Sequence, residues 1–516
     1  MVISPTTIDA AESIMPAVLK DKLPVDHEEI VVLSALTDEE LQVEKTLVRK
    51  IDIRVLPVIV LIYIMNYIDR NNYPAARLQG LQEDLNLTDK QYQIGLSILF
   101  VGYILMQVPS NMLLNSVSRP SWYLGACTML WGLVSALTCL ATNFSSILAC
   151  RFLLGFIEAP LFPGVMFYLS KWYTKKELTF RMSIFYSGLL ISGAFGNLIA
   201  AGILSGLAGK RGLSAWQWLY IIEGCLTIVI GFITAAFLPD YPHTWKSLSP
   251  EQHYVANRRI ALEAAEADLD KEMEISQLQG LKLAFMDPAT YLLTIADWGL
   301  AVAGSFQNYF PTLAATLGYN HIVSLLLVAP PYLFMVFFIL GHCYLSDRLS
   351  HRFWFFIYPQ PLALVGFIIF MTTSSFGPRY FACFLFCFSF TAVPTVFSWA
   401  ASSISRPPTK RAIAIAFMNC FGSTANIWTP FIYRAQDAPH YTPAMVVNII
   451  AAVICVICAV ILRWLLIRRN QALERQENEA VELSETSVRR LQKTAELEGL
   501  DIAAARRLQK DFRYLI

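Results

Sequence analysis

The chain has 516 residues, of which 55% are hydrophobic, 13% aromatic and only 15% charged, and its formal net charge is +1. Soluble domains carry roughly 25% charged residues, so the composition argues against a soluble globular protein, and the near-neutral balance gives no reason to expect nucleic acid as a partner. Lys, Arg, Asp and Glu gather in residues 1–54, 239–284 and 468–513 and leave long apolar runs between them, as in a polytopic membrane protein.

In chain order, residues 1–50 are polar and acidic and show no secretory signal, so the first membrane helix is expected to be an uncleaved anchor. Since about 20 apolar residues span a bilayer, twelve spans are expected, at 55–69, 92–114, 121–141, 145–170, 183–208, 217–238, 289–311, 323–345, 353–373, 379–401, 412–433 and 443–467. The fold class expected is an all-α membrane protein. It divides into an N-terminal tail (1–50), a six-helix half (51–238), a central connection (239–286), a second six-helix half (287–468) and a C-terminal tail (469–516). The connection is charged and alanine-rich and is expected to hold a helix lying along the membrane face, with a solvated linker as the alternative. Six spans, a polar connection and six more suggest two halves related by duplication.

Basic residues set the orientation. Lys45, Arg49, Lys50, Arg54, Arg119, Lys171, Lys175, Lys176, Arg181, Arg348, Arg352, Arg406, Lys410, Arg411, Arg468 and Arg469 all fall on one side if the N-terminus is cytoplasmic. Both termini are therefore expected in the cytoplasm. Asn86, in Asn86-Leu87-Thr88, then lies outside as a possible glycosylation acceptor. Most of the ten cysteines sit in apolar runs and none in a metal-ligand pattern, so no metal or cofactor is expected. Cys455 and Cys458 form a CxxC inside a continuous apolar run and read as small helix-packing residues.

The charges inside spans carry the functional reading, because a charge at the bilayer centre costs on the order of 3 kcal/mol or more. RFLLGFIEAPLFPG places Arg151 and Glu158 on one helical face about 10 Å apart along the axis. Gly155 lies between them, and Pro160 and Pro163 interrupt the helix just beyond. A guanidinium fork suits a carboxylate cargo. A glutamate in a low-dielectric cavity suits proton exchange. The alternative is that each pairs separately with other helices. Span one ends in Asn66, Asp69, Arg70, Asn71 and Asn72. Asn66 and Arg70 share a face, and Arg70 reads equally as a second anion contact or an interfacial residue. Glu223 reads as a packing residue. Asp297 reads equally as a second proton site or as an acid neutralised by a structural partner, with Gln307 and Asn308 further along as polar cavity residues. In YLSDRLSHR, Asp347, Arg348 and Arg352 are gate or topology residues, as is the basic turn PPTKRAIAIA. Phe100, Tyr103, Phe306 and Tyr309 are stacking candidates, with core or lipid-facing packing as the commoner alternative, and His321 and His342 read as interfacial.

Together these strings resemble the major facilitator superfamily, and more narrowly the fungal anion:cation symporter group of allantoate permease-like and nicotinate permease-like proteins. The resemblance runs from about Arg49 to Tyr433 on NYIDRNN, RFLLGFIEAPLFPGVMFYLSKWYTKKE, AWQWLYIIEG, VAPPYLF, YLSDRLSHR and TKRAIAIAF…IYRAQDAPHY. It implies a twelve-helix transporter with its site between the halves. It also implies importance for Arg151 and Glu158, which match an arginine and an acid of related organic-anion transporters, and for Arg70, which matches a span-one arginine. The chain departs from the group at Asn115, at Cys343, and at Ser402 and Ser403, where span ten often carries an asparagine.

The function expected is proton-coupled import of a small organic anion by alternating access. The partners are that anion, protons and the lipid bilayer. The protein is expected to act as a monomer, with the plasma membrane as the family default. An exporter of the same fold is the first alternative. The second is a nutrient sensor whose C-terminal stretch, with Leu497, Leu500, Ala504, Leu508 and Phe512 on one helical face, docks a partner. An enzyme is not expected, since no soluble segment is long enough to bury its own core. ATP-driven transport is disfavoured because no G-x-x-x-x-G-K-[ST] occurs.

Overall fold

The computed structural model describes residues 38–117, 119–173, 175–269, 277–349, 351–404 and 408–479. The proposed tail face at 497–512 lies outside them, as does the side chain of Asp347. Every regular element described is helical. Ahead of the central connection these are α1 Asp38–Arg54, α2 Leu56–Arg77, α3 Leu81–Asp84, α4 Asp89–Ser116, α5 Pro120–Leu137, α6 Phe144–Glu158, α7 Leu161–Ser170, α8 Lys175–Gly206 and α9 Ala215–Phe237. The connection contributes α10 Pro250–Leu269. Then come α11 Gln277–Met286, α12 Pro288–Ala303, α13 Phe310–Ala315, α14 His321–Leu349, α15 Arg352–Ile357, α16 Pro359–Thr372, α17 Phe376–Phe386, α18 Ala392–Ser403, α19 Pro408–Trp428 and α20 Thr442–Glu479.

Helix lies over all twelve expected spans. Among the described residues, eight segments are by length and apolarity able to cross a membrane: Glu39–Arg77, Pro120–Leu140, Ile184–Gly206, Ala215–Phe237, His321–Ser346, Arg352–Thr372, Phe376–Ser403 and Thr442–Arg475. The expected spans at 92–114, 145–170, 289–311 and 412–433 are helical but fall short of that standard. Three of them are cut into pieces: α6 ends at Glu158, α12 passes into a 3-10 turn at Gly304–Tyr309, and α19 passes into one at Thr429–Ile432. Large apolar side chains such as Leu130 and Leu133 on α5 and Val229 and Phe232 on α9 are exposed, as lipid-facing positions would be.

The helix pairings repeat. In the first half α5 packs on α9, and α2 on both α8 and α9. In the second half α16 packs on α20, and α12 on both α19 and α20. Across the halves, α8 meets α14 and α4 meets α19. This is the same exchange of partners made twice, as expected if one six-helix unit was duplicated. The α5–α9 seam is the closest of these packings. Gly125 and Gly132 on α5 face Gly231 and Gly224 on α9, seven residues apart on each helix. A Cβ on Gly224 would stand 2.5 Å from the Ala136 nitrogen, and one on Gly231 would stand 2.8 Å from that of Met129. Only glycine lets the two backbones touch, as small residues do between membrane helices.

The central connection is not a free linker. Its helix α10 lies against α1, where Arg258 pairs with Glu40 and Arg259 reaches Glu44 at 3.5 Å and Glu177 at 3.2 Å. Arg259 also donates to the Trp172 carbonyl and is almost fully buried. Lys50 on α1 donates to the carbonyl of Ser247. A second clip ties the corresponding end of the second half. Asp287 caps α12 by accepting from the Ala289 backbone N–H at 3.0 Å, and its carboxylate binds Lys410 at 2.7 Å and Arg469 at 2.6 Å. Burial alone would raise the Asp287 pKa, but the two cations hold its carboxyl below the usual carboxylate range. Lys410, in the first turn of α19, therefore joins helices within its own half.

One sequence reading changes here and others are decided. His342 is buried rather than interfacial: its ring bridges the Tyr358 hydroxyl at 2.6 Å and the Thr395 hydroxyl at 3.0 Å, joining α14 to α18 and to the start of α16. Phe306 and Tyr309 are buried away from any cavity, in the aromatic packing of the second half and in the tyrosine stack described below. Cys455 fits its packing role, with its thiol against the Ala296 carbonyl at 3.2 Å where Gly299 leaves room.

Candidate functional site

Between the halves lies a cavity of about 200 Å³. That is below the range usual for drug-sized ligands, so its contents are small. The first half contributes Asn66, Arg70 and Asn71 from α2, and the second contributes Asp297 from α12 with Gln307 and Asn308 from the 3-10 turn that follows. Five of the residues singled out in the sequence are thus together: Asn66, Arg70, Asp297, Gln307 and Asn308. Phe100 and Tyr103 line it as well, joined by Tyr67 and Phe397.

Sequence reasoning missed the contribution of α19, which presents Asn419, Ser423 and Asn426 to the cavity. Their spacing of four and three residues is one stripe of a helix, so the signal was present. These residues are neutral, and residues 412–433 hold no charge to draw attention to them.

Arg70 is the cation of the cavity wall. Its guanidinium lies 4.7 Å from the Tyr103 ring centre and 5.3 Å from that of Tyr67. Its Nε donates to Glu158 Oε2 at 2.6 Å. Glu158 itself is fully buried behind Arg70, is not on the cavity wall, and has an Oε1 with no hydrogen bond. It stands at the end of α6, where Pro160 withholds a backbone N–H before α7 resumes. α6 begins on a capping box in which the Asn143 side chain accepts from the Ser146 N–H. Gly155, midway, is pressed against α4, where any Cβ would collide with the Leu99 carbonyl. The helix is held so that Glu158 faces α2.

Arg151 is placed differently from the role read for it in the sequence. It is buried within the first half, donates from Nε to the Gly95 carbonyl at 3.3 Å, and carries the Tyr73 ring 4.7 Å from its guanidinium carbon. It does not line the cavity. Its Nη1 has no partner. Tyr73 stacks on Tyr92 at 4.8 Å, Tyr92 meets Tyr309 edge-on at 6.2 Å, and Tyr309 stacks on Tyr433 at 4.6 Å. Four tyrosines thus cross from one half to the other at the end of the bundle away from the central connection. Gln93 donates to the Tyr433 carbonyl at 3.2 Å and Gln307 to Asn71 at 3.4 Å, adding polar ties between the halves. At the same end Arg77 lies over Tyr92 and pairs with Asp89 at 2.9 Å.

Asp69, next to Arg70 in sequence, points the other way. It is fully buried and accepts from the Ser135 hydroxyl at 2.7 Å and the Thr227 hydroxyl at 2.8 Å, tying α2 to α5 and α9. Glu223, on α9, is also buried, and its Oε2 has no partner. Arg348 is exposed, and Arg352 donates to the Ser346 hydroxyl at 3.1 Å. Asn86 is exposed in the turn before α4, where a glycan could be attached.

A cavity between two halves with repeated helix pairings is a transporter's architecture, and the sequence comparison decides the family. The profile of the Major Facilitator Superfamily matches residues 59–430. The chain belongs to the Major Facilitator Superfamily. This facilitator is 33% identical over 441 residues to the MFS-type transporter cnsO of Penicillium expansum, covering 83% of this chain and 84% of the relative. It is 28% identical to the major facilitator-type transporter hxnP of Emericella nidulans, over 87% of this chain and 91% of that one. Among solved structures it superposes on an inward-facing, unoccupied bacterial homologue of the human lysosomal transporter Spinster, with TM-score 0.61 and 16% identity, over 79% of this chain and 95% of that one. The proton:xylose symporter XylE gives TM-score 0.61 and 14% identity, over 78% and 94%. These structural likenesses establish the fold of this facilitator, which is a membrane-spanning secondary transporter.

Proposed function

We propose that this facilitator imports a small organic anion together with a proton, by alternating access. The observation that carries the reading is the Arg70–Glu158 pair: a cation on the cavity wall held by a carboxylate that the cavity does not reach. Protonation of Glu158 would release Arg70 to a substrate carboxylate, for which the guanidinium fork is suited. Return of the proton to the other side would let Glu158 recapture Arg70 and expel the anion. Asp297 is a second carboxylate open to the cavity and available for proton exchange. The tyrosine stack is proposed as the closed outer end, with both chain termini in the cytoplasm and the protein in the plasma membrane. Arg151 serves in this reading by holding Tyr73 in that stack. Its placement under a tyrosine ring gives no support to a direct contact with the anion.

The test is uptake of radiolabelled organic acids by cells expressing the protein, at pH 5 and pH 7.5, with Arg70→Ala and Glu158→Gln beside wild type. Uptake of an acid that rises at low pH, is lost in Arg70→Ala and loses its pH dependence in Glu158→Gln is the expected result. Uptake unaffected by Arg70→Ala would overturn the assignment.

A further inference from the structure

The cavity carries charge of both signs, on walls from different halves. Among the residues lining it, Arg70 on α2 is the one cation and Asp297 on α12 the one carboxylate. Arg70 has a partner in Glu158. Asp297 has none: no hydrogen bond or ion pair joins its carboxylate to another described residue, although it is only 7% exposed. The contrast with Asp287, ten residues earlier and clipped by Lys410 and Arg469, shows that this chain does pair acids when they are structural.

α19 approaches Asp297 closely without offering it a partner. Gly422 on α19 faces it, and a Cβ there would run into the Asp297 carboxylate. The cavity-lining groups of the neighbouring helices, Tyr186 on α8 and Asn419 and Ser423 on α19, are neutral. An acid within a membrane-spanning bundle is costly unless paired or functional, and here the carboxylate lies on the cavity wall against the bare Gly422 of α19, with no donor or cation of the described residues on it. The partner it lacks is one the cavity can deliver.

We propose that the cargo is amphoteric, with a carboxylate for Arg70 and an ammonium or protonated nitrogen for Asp297. This rests on the anion reading above and narrows it from organic anions to amino acids in the broad chemical sense. The cavity of about 200 Å³ is below the range usual for drug-sized ligands, so the cargo is a compact molecule. Gln307, Asn308 and Asn426 supply uncharged donors and acceptors for the remainder, and Tyr67, Phe100 and Tyr103 supply ring faces.

The test uses full-length protein in detergent micelles and equilibrium binding of two matched series of probes. One is aminomethylbenzoate, toluate and methylbenzylamine; the other is γ-aminobutyrate, butyrate and butylamine. In at least one series the amphoteric member is expected to bind about tenfold or more tighter than both truncated members. Asp297→Asn is expected to remove that advantage, with the plain carboxylate bound at least as tightly as by wild type because a like charge has left the cavity. If the plain carboxylate binds as well as the amphoteric member, or the preference survives Asp297→Asn, the amphoteric assignment is wrong while the Arg70 anion contact stands. If the amine alone binds as tightly as the amphoteric member, or no probe binds, the anion reading fails with it.

Discussion

Replacing Glu158 by glutamine tests whether the Arg70–Glu158 pair holds the first half together or poises it for an anion. At the observed 2.6 Å, and with an effective dielectric of 20, the gross attraction is about 332/(20 × 2.6), or about 6 kcal/mol. Desolvation of both ions offsets most of that, so the pair taken whole contributes little, whereas removing one member leaves a buried charge alone and costs about 3–5 kcal/mol. Glu158→Gln is therefore expected to lower the melting temperature of purified protein well below wild type. Arg70→Met combined with Glu158→Gln is expected to recover most of the loss, because both ions are gone. Arg70 faces the cavity, so a bound carboxylate can replace Glu158; at a hundredfold excess over Kd it returns about 2.7 kcal/mol. In the single variant Arg70 has no competing carboxylate, so Kd for the acid should fall, and at one fixed acid concentration the variant should gain more thermal stability than wild type does. The readout is a thermal-shift double-mutant cycle with and without ligand. A coupling below about 0.5 kcal/mol would mean that the pair does not act as a unit, and the reasoning would fail.

Further outcomes follow from other parts of the fold. Arg151→Ala should reduce the maximal uptake rate with KM near wild type, because Arg151 supports Tyr73 and does not line the cavity, whereas Arg70→Ala should raise KM; equal KM effects would return Arg151 to the binding site. Asp287 has a depressed pKa, so its contribution is present above the ordinary carboxylate range and is lost only as pH falls below it. Asp287→Asn should then cost about 3 kcal/mol at pH 7.5 and at pH 5 alike; a loss confined to pH 7.5 would show that the clip had already titrated. Gly224→Leu would force α5 and α9 apart and should cost about 1–3 kcal/mol or more in thermal stability, with no effect greater than Gly224→Ala if the seam is looser than drawn.

The sequence showed where helices lie because apolar runs and charge gaps are imposed by the bilayer itself. It was less informative about which side chain faces which neighbour. Asp69 and Arg70 are adjacent, so they point about 100° apart on α2, one into the packing with α5 and α9 and the other into the cavity. Arg151 and Glu158 share a face in a straight helix, but that face is turned into the first half, and only Glu158 reaches a residue on the cavity wall. Phe306 and Tyr309 fall in a 3-10 turn, where residues three apart eclipse. That puts both on the inward face and leaves Gly304 and Gln307 on the cavity. Asn419, Ser423 and Asn426 could have been found by spacing alone, while the docking of α10 on α1 depends on long-range ion pairs that no local pattern announces.

The glycine seam between α5 and α9 also bears on how the protein moves. Two helices whose backbones touch cannot slide without lifting over each other's carbonyls, so this pair behaves as a stiff spar rather than a joint. Displacement has to be taken up where contact is made by side chains. One such place is the line where Tyr332 of α14 lies over Gly193 of α8, and another is the tyrosine stack. With the spar rigid, a small tilt of the first half is magnified with distance from its pivot. A shift of a fraction of an ångström at the Arg70–Glu158 pair can then part rings at the far end of the bundle.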